Sequence, residues 1–141
     1  MGYRSEVAYC MRFKDQEQLD TFVAVQLCKK NGIINEALKE LRQIETRQTE
    51  QYLYFYAPDV KWYDDYEDVK VHHKFMEDAV DMFEEACWLF LRCGEQADDI
   101  QEEADGEDGW DLTEFITICR PTISLDVGNT KPILNEEGEL A

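Results

Sequence analysis

Residues 50–57 read Glu-Gln-Tyr-Leu-Tyr-Phe-Tyr-Ala, a run in which both faces of an extended strand would be apolar or aromatic. Leu53 and Phe55 fall on one face, and three tyrosines fall on the other. A strand that is covered on both sides usually lies in the middle of a sheet. This run therefore predicts a central strand, and Pro58 is expected to end it.

The segments around this run alternate between the period of a strand and the period of a helix. Residues 5–13 alternate side chains as a strand does, and Asp15 is placed to cap a helix, with Gln18 three residues later. That helix is expected to end at Gly32. The same patterns predict a short helix at 35–43, a long helix at 67–86, strands at 88–93 and 115–119 with a break at Pro121, and a short acidic helix and loop at 95–111.

These elements predict an α+β fold with one domain. Few strands and segregated helices favour a sheet of about four strands, mainly antiparallel, with the helices on one face. The domain is expected to span residues 1–126. Residues 127–141 lack aromatic side chains and are predicted to form a mobile C-terminal tail. The sequence leaves the strand order and the oligomeric state open.

Net charge constrains what the protein can bind. The chain has 32 acidic and 14 basic residues, which gives a formal charge of −18. Such a charge repels nucleic acid and anionic membrane surfaces, and it attracts basic protein surfaces. Residues 1–14 lack the apolar block of a signal peptide, so we expect an intracellular protein without direct nucleic-acid or membrane contact. Acidity that serves solubility alone is the simpler alternative.

Cysteine and histidine do not form a recognisable metal site. The five cysteines are odd in number and contain no C-x-x-C pair, so we expect reduced and mostly buried thiols. His72 and His73 are adjacent, and adjacent helical side chains point about 100° apart, so both cannot reach one metal ion. Val69 and Met76 place His73 on the packed face, where a hydrogen-bonded histidine at the boundary of the core is expected. A metal-binding or general-base role for either histidine is the alternative.

Residues 95–114 contain ten acids and no Lys or Arg. If Glu103 were the first position of a calcium loop, Asp108 would occupy the sixth, where the turn requires glycine. A solvated loop or a partner-facing patch is therefore favoured over calcium binding. Glycine-rich phosphate loops and nucleophile elbows are also missing from the sequence, so we expect neither enzyme activity nor a cofactor.

Aromatic residues beside acids make good anchors for a protein partner. Trp62, Tyr63 and Tyr66 form such a group, with the alternative that Trp62 covers the core. The candidate partner-binding residues are two of these anchors and the acids of three segments: Trp62, Tyr63, Asp64, Asp65, Glu77, Asp78, Asp81, Glu84, Glu85, Asp98, Asp99, Glu102 and Glu103.

Three stretches of the sequence carry a resemblance to known proteins. They are Met1-Gly2-Tyr3-Arg4-Ser5-Glu6-Val7-Ala8-Tyr9, then Val60-Lys61-Trp62-Tyr63-Asp64 leading to Tyr66-Glu67-Asp68-Val69, and then Leu91-Arg92-Cys93-Gly94-Glu95 leading to Asp98-Asp99-Ile100-Gln101-Glu102-Glu103. Together, over roughly residues 1–103, they resemble a group of small uncharacterised proteins encoded by tailed bacteriophages. The resemblance implies a phage origin and action in the cytoplasm of an infected bacterium, and it carries no catalytic residues.

The resemblance and the charge together predict a phage accessory protein. It is expected to bind and inhibit, or redirect, a bacterial host or defence protein that itself binds nucleic acid through a basic surface. A structural or assembly component of the virion is one alternative. A small metal-dependent or acid/base enzyme is the second.

Overall fold

The structure is a computed structural model that describes residues 2–119 and 122–140. Twelve elements follow one another along the described chain. They are β1 (Ser5–Phe13), α1 (Gln16–Cys28), α2 (Gly32–Glu40), β2 (Arg42–Ile44), β3 (Gln51–Val60), α3 (Glu67–Met82), β4 (Cys87–Gly94), β5 (Ile100–Asp105), a 3-10 helix (Gly109–Glu114), β6 (Ile116–Cys119), β7 (Thr122–Leu125) and β8 (Thr130–Pro132).

Six of the strands form one antiparallel sheet in the order β5-β4-β1-β3-β2-β8. The central position predicted for the 50–57 run is confirmed, because β3 pairs with β1 on one side and β2 on the other. Pro58, predicted to end this strand, lies within it, since β3 continues to Val60. The predicted sheet of four strands is not confirmed, because the strand predicted at 115–119 forms β6 of a separate two-stranded sheet and three strands of the large sheet were not predicted. β2 and β8 have only three residues each, and β5 consists largely of residues with low strand propensity. The sequence therefore shows no strand pattern at these three positions.

Different elements pack against the two faces of the sheet. Val7, Tyr9 and alternate residues of β1 pack with apolar side chains from all three α-helices. Ala8 and Cys10 point to the other face, where the 3-10 helix and the β6–β7 hairpin cover them. The α-helices thus share one face, but the 3-10 helix lies on the opposite one. We call these faces the helix side and the hairpin side.

The ends of the first helices correct one prediction. Asp15 caps α1 as predicted, because its carboxylate accepts a hydrogen bond from the Gln18 amide at 2.9 Å. Gly32 does not end this helix, since it is the first residue of α2. Asn31 caps α2 by accepting hydrogen bonds from the amides of the two isoleucines that follow Gly32. The turn between the helices is made by Lys30, whose φ of 51° supplies the left-handed conformation.

Three further segments differ from the predictions. Residues 95–111, predicted as a helix and loop, contain β5 and the start of the 3-10 helix. Helix α3 ends at Met82 rather than near Ala86. Pro121, predicted to break a strand, lies outside the described residues.

The segment predicted as a mobile tail contributes to the sheet. Its residues Thr130–Pro132 form β8 and pair with β2, and Ile133 and Leu134 are buried on the helix side. Burial of these two adjacent apolar side chains provides the free energy that fixes an otherwise polar segment.

Candidate functional site

Acidic residues are concentrated on the β4–β5 side of the molecule. Residues 77–119 contain fifteen acids and a single base, Arg92. They form the end of α3, then β4, β5, the 3-10 helix and β6. Arg92 donates hydrogen bonds to both oxygens of Asp99, at 2.7 and 3.1 Å, so its charge is compensated. This side of the molecule therefore carries a large surplus of negative charge.

Few of the carboxylates in the 95–114 segment meet a cation. Asp99 pairs with Arg92, and Asp108 lies 4.0 Å from Arg12 of β1. The other eight have no basic side chain within 4.0 Å among residues 2–119 and 122–140. Their charge is available to attract a partner.

Strand β5 carries carboxylates on both faces of the sheet edge. Glu103 pairs with Phe90, which packs on the helix side, so Glu103 faces that side. Glu102 pairs with Leu91, which packs on the hairpin side, so Glu102 faces the hairpin side. Both glutamates are exposed. A partner that approached this edge would meet negative charge on either face.

On the helix side, acids from three separate segments surround His73. Its half-buried ring lies 5.3 Å from that of Phe90. Burial lowers the pKa of His73, and the carboxylates of Asp64, Glu103 and Glu77 lie close enough to oppose that effect. The structure therefore brings together three of the predicted partner-binding acids from the loop before α3, from α3 and from β5.

The histidine enclosed in the core is His72, which corrects the prediction for His73. His72 is 2% exposed; its Nδ1 is hydrogen-bonded to the Tyr9 hydroxyl and its Nε2 lies 3.2 Å from Glu40. The buried positions of α3 include Val69, His72 and Phe75, so the apolar stripe runs one residue earlier than the sequence pattern indicated.

The aromatic anchors also need correction. Trp62 is only 9% exposed and packs between Phe55 and Phe90, with ring centroids 5.8 and 6.1 Å away, so it belongs to the core. Tyr63 is half-buried. The exposed tryptophan is Trp110 of the 3-10 helix, at 54%. Sequence reasoning missed it, although its position between a glycine and an aspartate, with no apolar neighbour, was a usable signal.

Two predicted acids, Asp78 and Asp99, are partly buried and accept several hydrogen bonds within the chain, and exposed Glu77 lies 3.9 Å from Lys74. Asp78 accepts hydrogen bonds from Gln26, Lys29 and Lys74. Burial alone would raise the pKa of Asp78, but these donors outweigh it and lower the pKa. Asp99 is held by Arg92 in the same way. The predicted acids that remain exposed are Asp64, Asp65, Glu77, Asp81, Glu84, Glu85, Asp98, Glu102 and Glu103.

The three stretches that carry the phage resemblance meet at one cavity. The Tyr3 amide donates to the Tyr63 hydroxyl at 2.7 Å, and the Tyr3 hydroxyl donates to Asp99 at 2.6 Å. Hydrogen bonds from Arg92 and then Tyr3 lower the pKa of Asp99. A half-open cavity of about 330 Å³ lies among these residues and Asp64. This network fixes the start of the chain against the β4–β5 side.

The described part of the chain contains no assembled metal site, and its cysteines are free thiols. Residues 2–119 and 122–140 contain no group of three His, Cys, Asp or Glu side chains that could hold a metal ion. Cys10, Cys87 and Cys93 are buried free thiols, and burial raises the pKa of each, while Cys28 and Cys119 are exposed free thiols. Within the same residues, no helix combines the length and the apolar character needed to cross a membrane.

Comparison of this chain with protein-family models, with curated proteins and with solved structures gave no match. The phage origin therefore stays a prediction from the resemblance.

Proposed function

We propose that this protein is a phage accessory protein that acts in the host cytoplasm by binding a bacterial host or defence protein. The target carries a basic surface that normally binds nucleic acid, and the acidic surface of this protein occupies it and thereby inhibits or redirects the target. The observation that supports the proposal is the surplus of carboxylates on the β4–β5 side, where residues 77–119 contain fifteen acids and one base, Arg92, which pairs with Asp99. The phage setting comes from the resemblance alone.

Electrostatics favours this class of partner over others. Carboxylates distributed over an edge and two faces present negative charge as a phosphate backbone does, and complementary charge increases the rate of encounter. The same charge disfavours nucleic acid and anionic lipid as direct ligands. Exposed Trp110 adds an aromatic contact that charge alone does not provide.

Affinity capture from infected bacteria, at low and high salt, tests the proposal. We expect recovery of a basic, nucleic-acid-binding bacterial protein that high salt releases, because salt screens charges at exposed surfaces. Recovery of phage capsid or tail proteins alone would contradict the proposal and would support the virion alternative.

Two variants, each with seven acids neutralised, test whether capture depends on the β4–β5 side. The first replaces seven exposed acids by their amides: Glu77, Asp81, Glu84, Glu85, Asp98, Glu102 and Glu103. The control replaces seven exposed acids in other parts of the chain: Glu17, Asp20, Glu36, Glu45, Glu50, Glu136 and Glu137. We expect the first variant to lose the partner and the control to retain it. Equal capture by both would show that net charge, and not this surface, governs binding.

A further inference from the structure

The six-stranded sheet has two edge strands, and they differ in how well they can pair with an additional strand. At one edge, β8 has three residues and ends in Pro132, which has no amide proton. At the other edge, β5 has six residues without proline or bulge, in continuous register with β4. The β5 edge is therefore the longer and more regular template for another strand.

Among residues 2–119 and 122–140, no strand pairs with the outer side of β5. In an antiparallel ladder, alternate residues direct their amide and carbonyl groups to opposite sides. The Gly94 amide bonds to the Asp99 carbonyl at 2.8 Å, and the alternation then directs the backbone groups of Glu102 and Ala104 outward. No other segment of residues 2–119 and 122–140 bonds to these outward groups through its backbone.

The side chains of β5 determine which charge an added strand must carry to pair favourably. A second copy of β5 would bring Glu102, Glu103 and Asp105 against the same acids, and like charges on paired strands are destabilising. An apolar strand would remove water from these carboxylates without compensating them. A strand that carries Lys or Arg compensates them, and Asp64 and Glu77 add negative charge on the helix side.

We propose that the β5 edge accepts an extended Lys/Arg-rich segment of the basic partner by strand addition. The backbone of this segment bonds to the outward groups of β5. Its basic side chains on the helix side lie near Glu103, and those on the hairpin side lie near Glu102. The 3-10 helix starts against Ala104 on the hairpin side, so exposed Trp110 offers a face to a cation there. This inference rests on the proposed function, and it adds the form of the partner.

Two synthetic peptides test the backbone contact directly. One is an octapeptide of alternating arginine and threonine, and the other has the same sequence with its backbone nitrogens methylated. The charge is equal, but the second cannot donate backbone hydrogen bonds. We expect the methylated peptide to bind the full chain about tenfold or more weakly, since several net-favourable hydrogen bonds are lost.

Two variants at one position give the matching test on the protein. Glu102→Gln removes the charge, and Glu102→Pro removes the charge and the outward amide proton; proline is tolerated on an edge strand when that proton faces solvent. We expect the proline variant to bind the unmodified octapeptide about fivefold more weakly than the glutamine variant. Thermal unfolding of both establishes that each is folded. Amide exchange of the unaltered chain provides a readout that needs no variant: the Glu102 and Ala104 amides should gain protection when the octapeptide binds.

The outcomes separate this inference from the proposed function. Equal affinity for the two peptides, without added protection of Glu102 and Ala104, would overturn strand addition and leave an acidic surface that binds by charge. Failure of both peptides to bind would also overturn strand addition, while capture with the two charge variants decides the proposed function on its own.

Discussion

Replacing each of two tryptophans by alanine should give opposite results. Trp62 is 9% exposed and lies among the rings of Phe55 and Phe90, whereas Trp110 is 54% exposed. A buried aromatic side chain removes roughly 200 Å² from water, which at about 25 cal/mol per Å² corresponds to about 5 kcal/mol. Alanine retains part of that area, so we expect Trp62→Ala to reduce the free energy of unfolding by about 4 kcal/mol.

The Trp110→Ala variant should change the free energy of unfolding by about 1 kcal/mol or less, because most of this side chain is in water. It should instead weaken binding of the captured partner or of the arginine–threonine octapeptide. Urea unfolding followed by far-UV circular dichroism measures the stabilities, since this signal does not depend on indole fluorescence.

Trp62→Phe is a useful third variant for the same experiment. The indole Nε1 of Trp62 is buried without a hydrogen-bond acceptor among the described residues. Phenylalanine removes this unpaired donor and keeps most of the packing, so the loss of stability should be about 1.5 kcal/mol or less. A Trp62→Ala variant as stable as the parent chain, or a Trp110→Ala variant that loses several kcal/mol, would refute the assignment of core and surface.

Three other substitutions test the acid pairings, the C-terminal segment and the buried histidine. Asp78→Asn should cost about 2 kcal/mol at neutral pH, since it weakens charge-assisted hydrogen bonds. The pKa of Asp78 is lowered in the folded chain, so this difference should disappear in urea unfolding as pH falls through and below the usual value of 3.8. Ile133→Ala should lower stability by about 2–3 kcal/mol, and an unchanged melting temperature would indicate that the segment after residue 127 is not packed. Tyr9→Phe should cost about 1–3 kcal/mol by leaving Nδ1 of His72 without its partner, and the imidazole chemical shifts of His72 should change in NMR spectra.

How much of the fold could be predicted depended on the strength of local patterns. The alternation in β1 and the aromatic run in β3 are long, and both strands were predicted within a few residues. β5 was missed because its sequence, Ile-Gln-Glu-Glu-Ala-Asp, has the composition of an exposed helix. Only pairing with β4, a contact that a local pattern does not contain, makes it a strand.

The candidate site could be predicted in composition but not in geometry. The acidic segments are visible in the sequence, yet the pairing of Asp78 with Lys29 spans two helices, and no local rule reveals it. His73 was predicted on the packed face of α3, but His72 is the buried residue. The two assignments differ by one position along the helix, and periodicity within a single helix does not distinguish them. Trp62 was predicted as the exposed anchor, but Trp110 is the exposed tryptophan. Exposure depends on which strands and loops cover a side chain, and a local pattern does not contain that information.

The position of β1 in the sheet has a consequence during protein synthesis. This strand is made before both of its neighbours, β3 and β4, and its ladder with β4 reaches Gly94. At roughly 5–20 residues per second, a ribosome needs several seconds to make both partners. During that interval the segment Val7–Met11, which is fully buried in the finished protein, has no strand to pair with. Non-local pairing of this kind is slow, and residues 1–60 contain nine acids and eight bases, so charge repulsion gives this part of the nascent chain little protection against aggregation before the sheet closes.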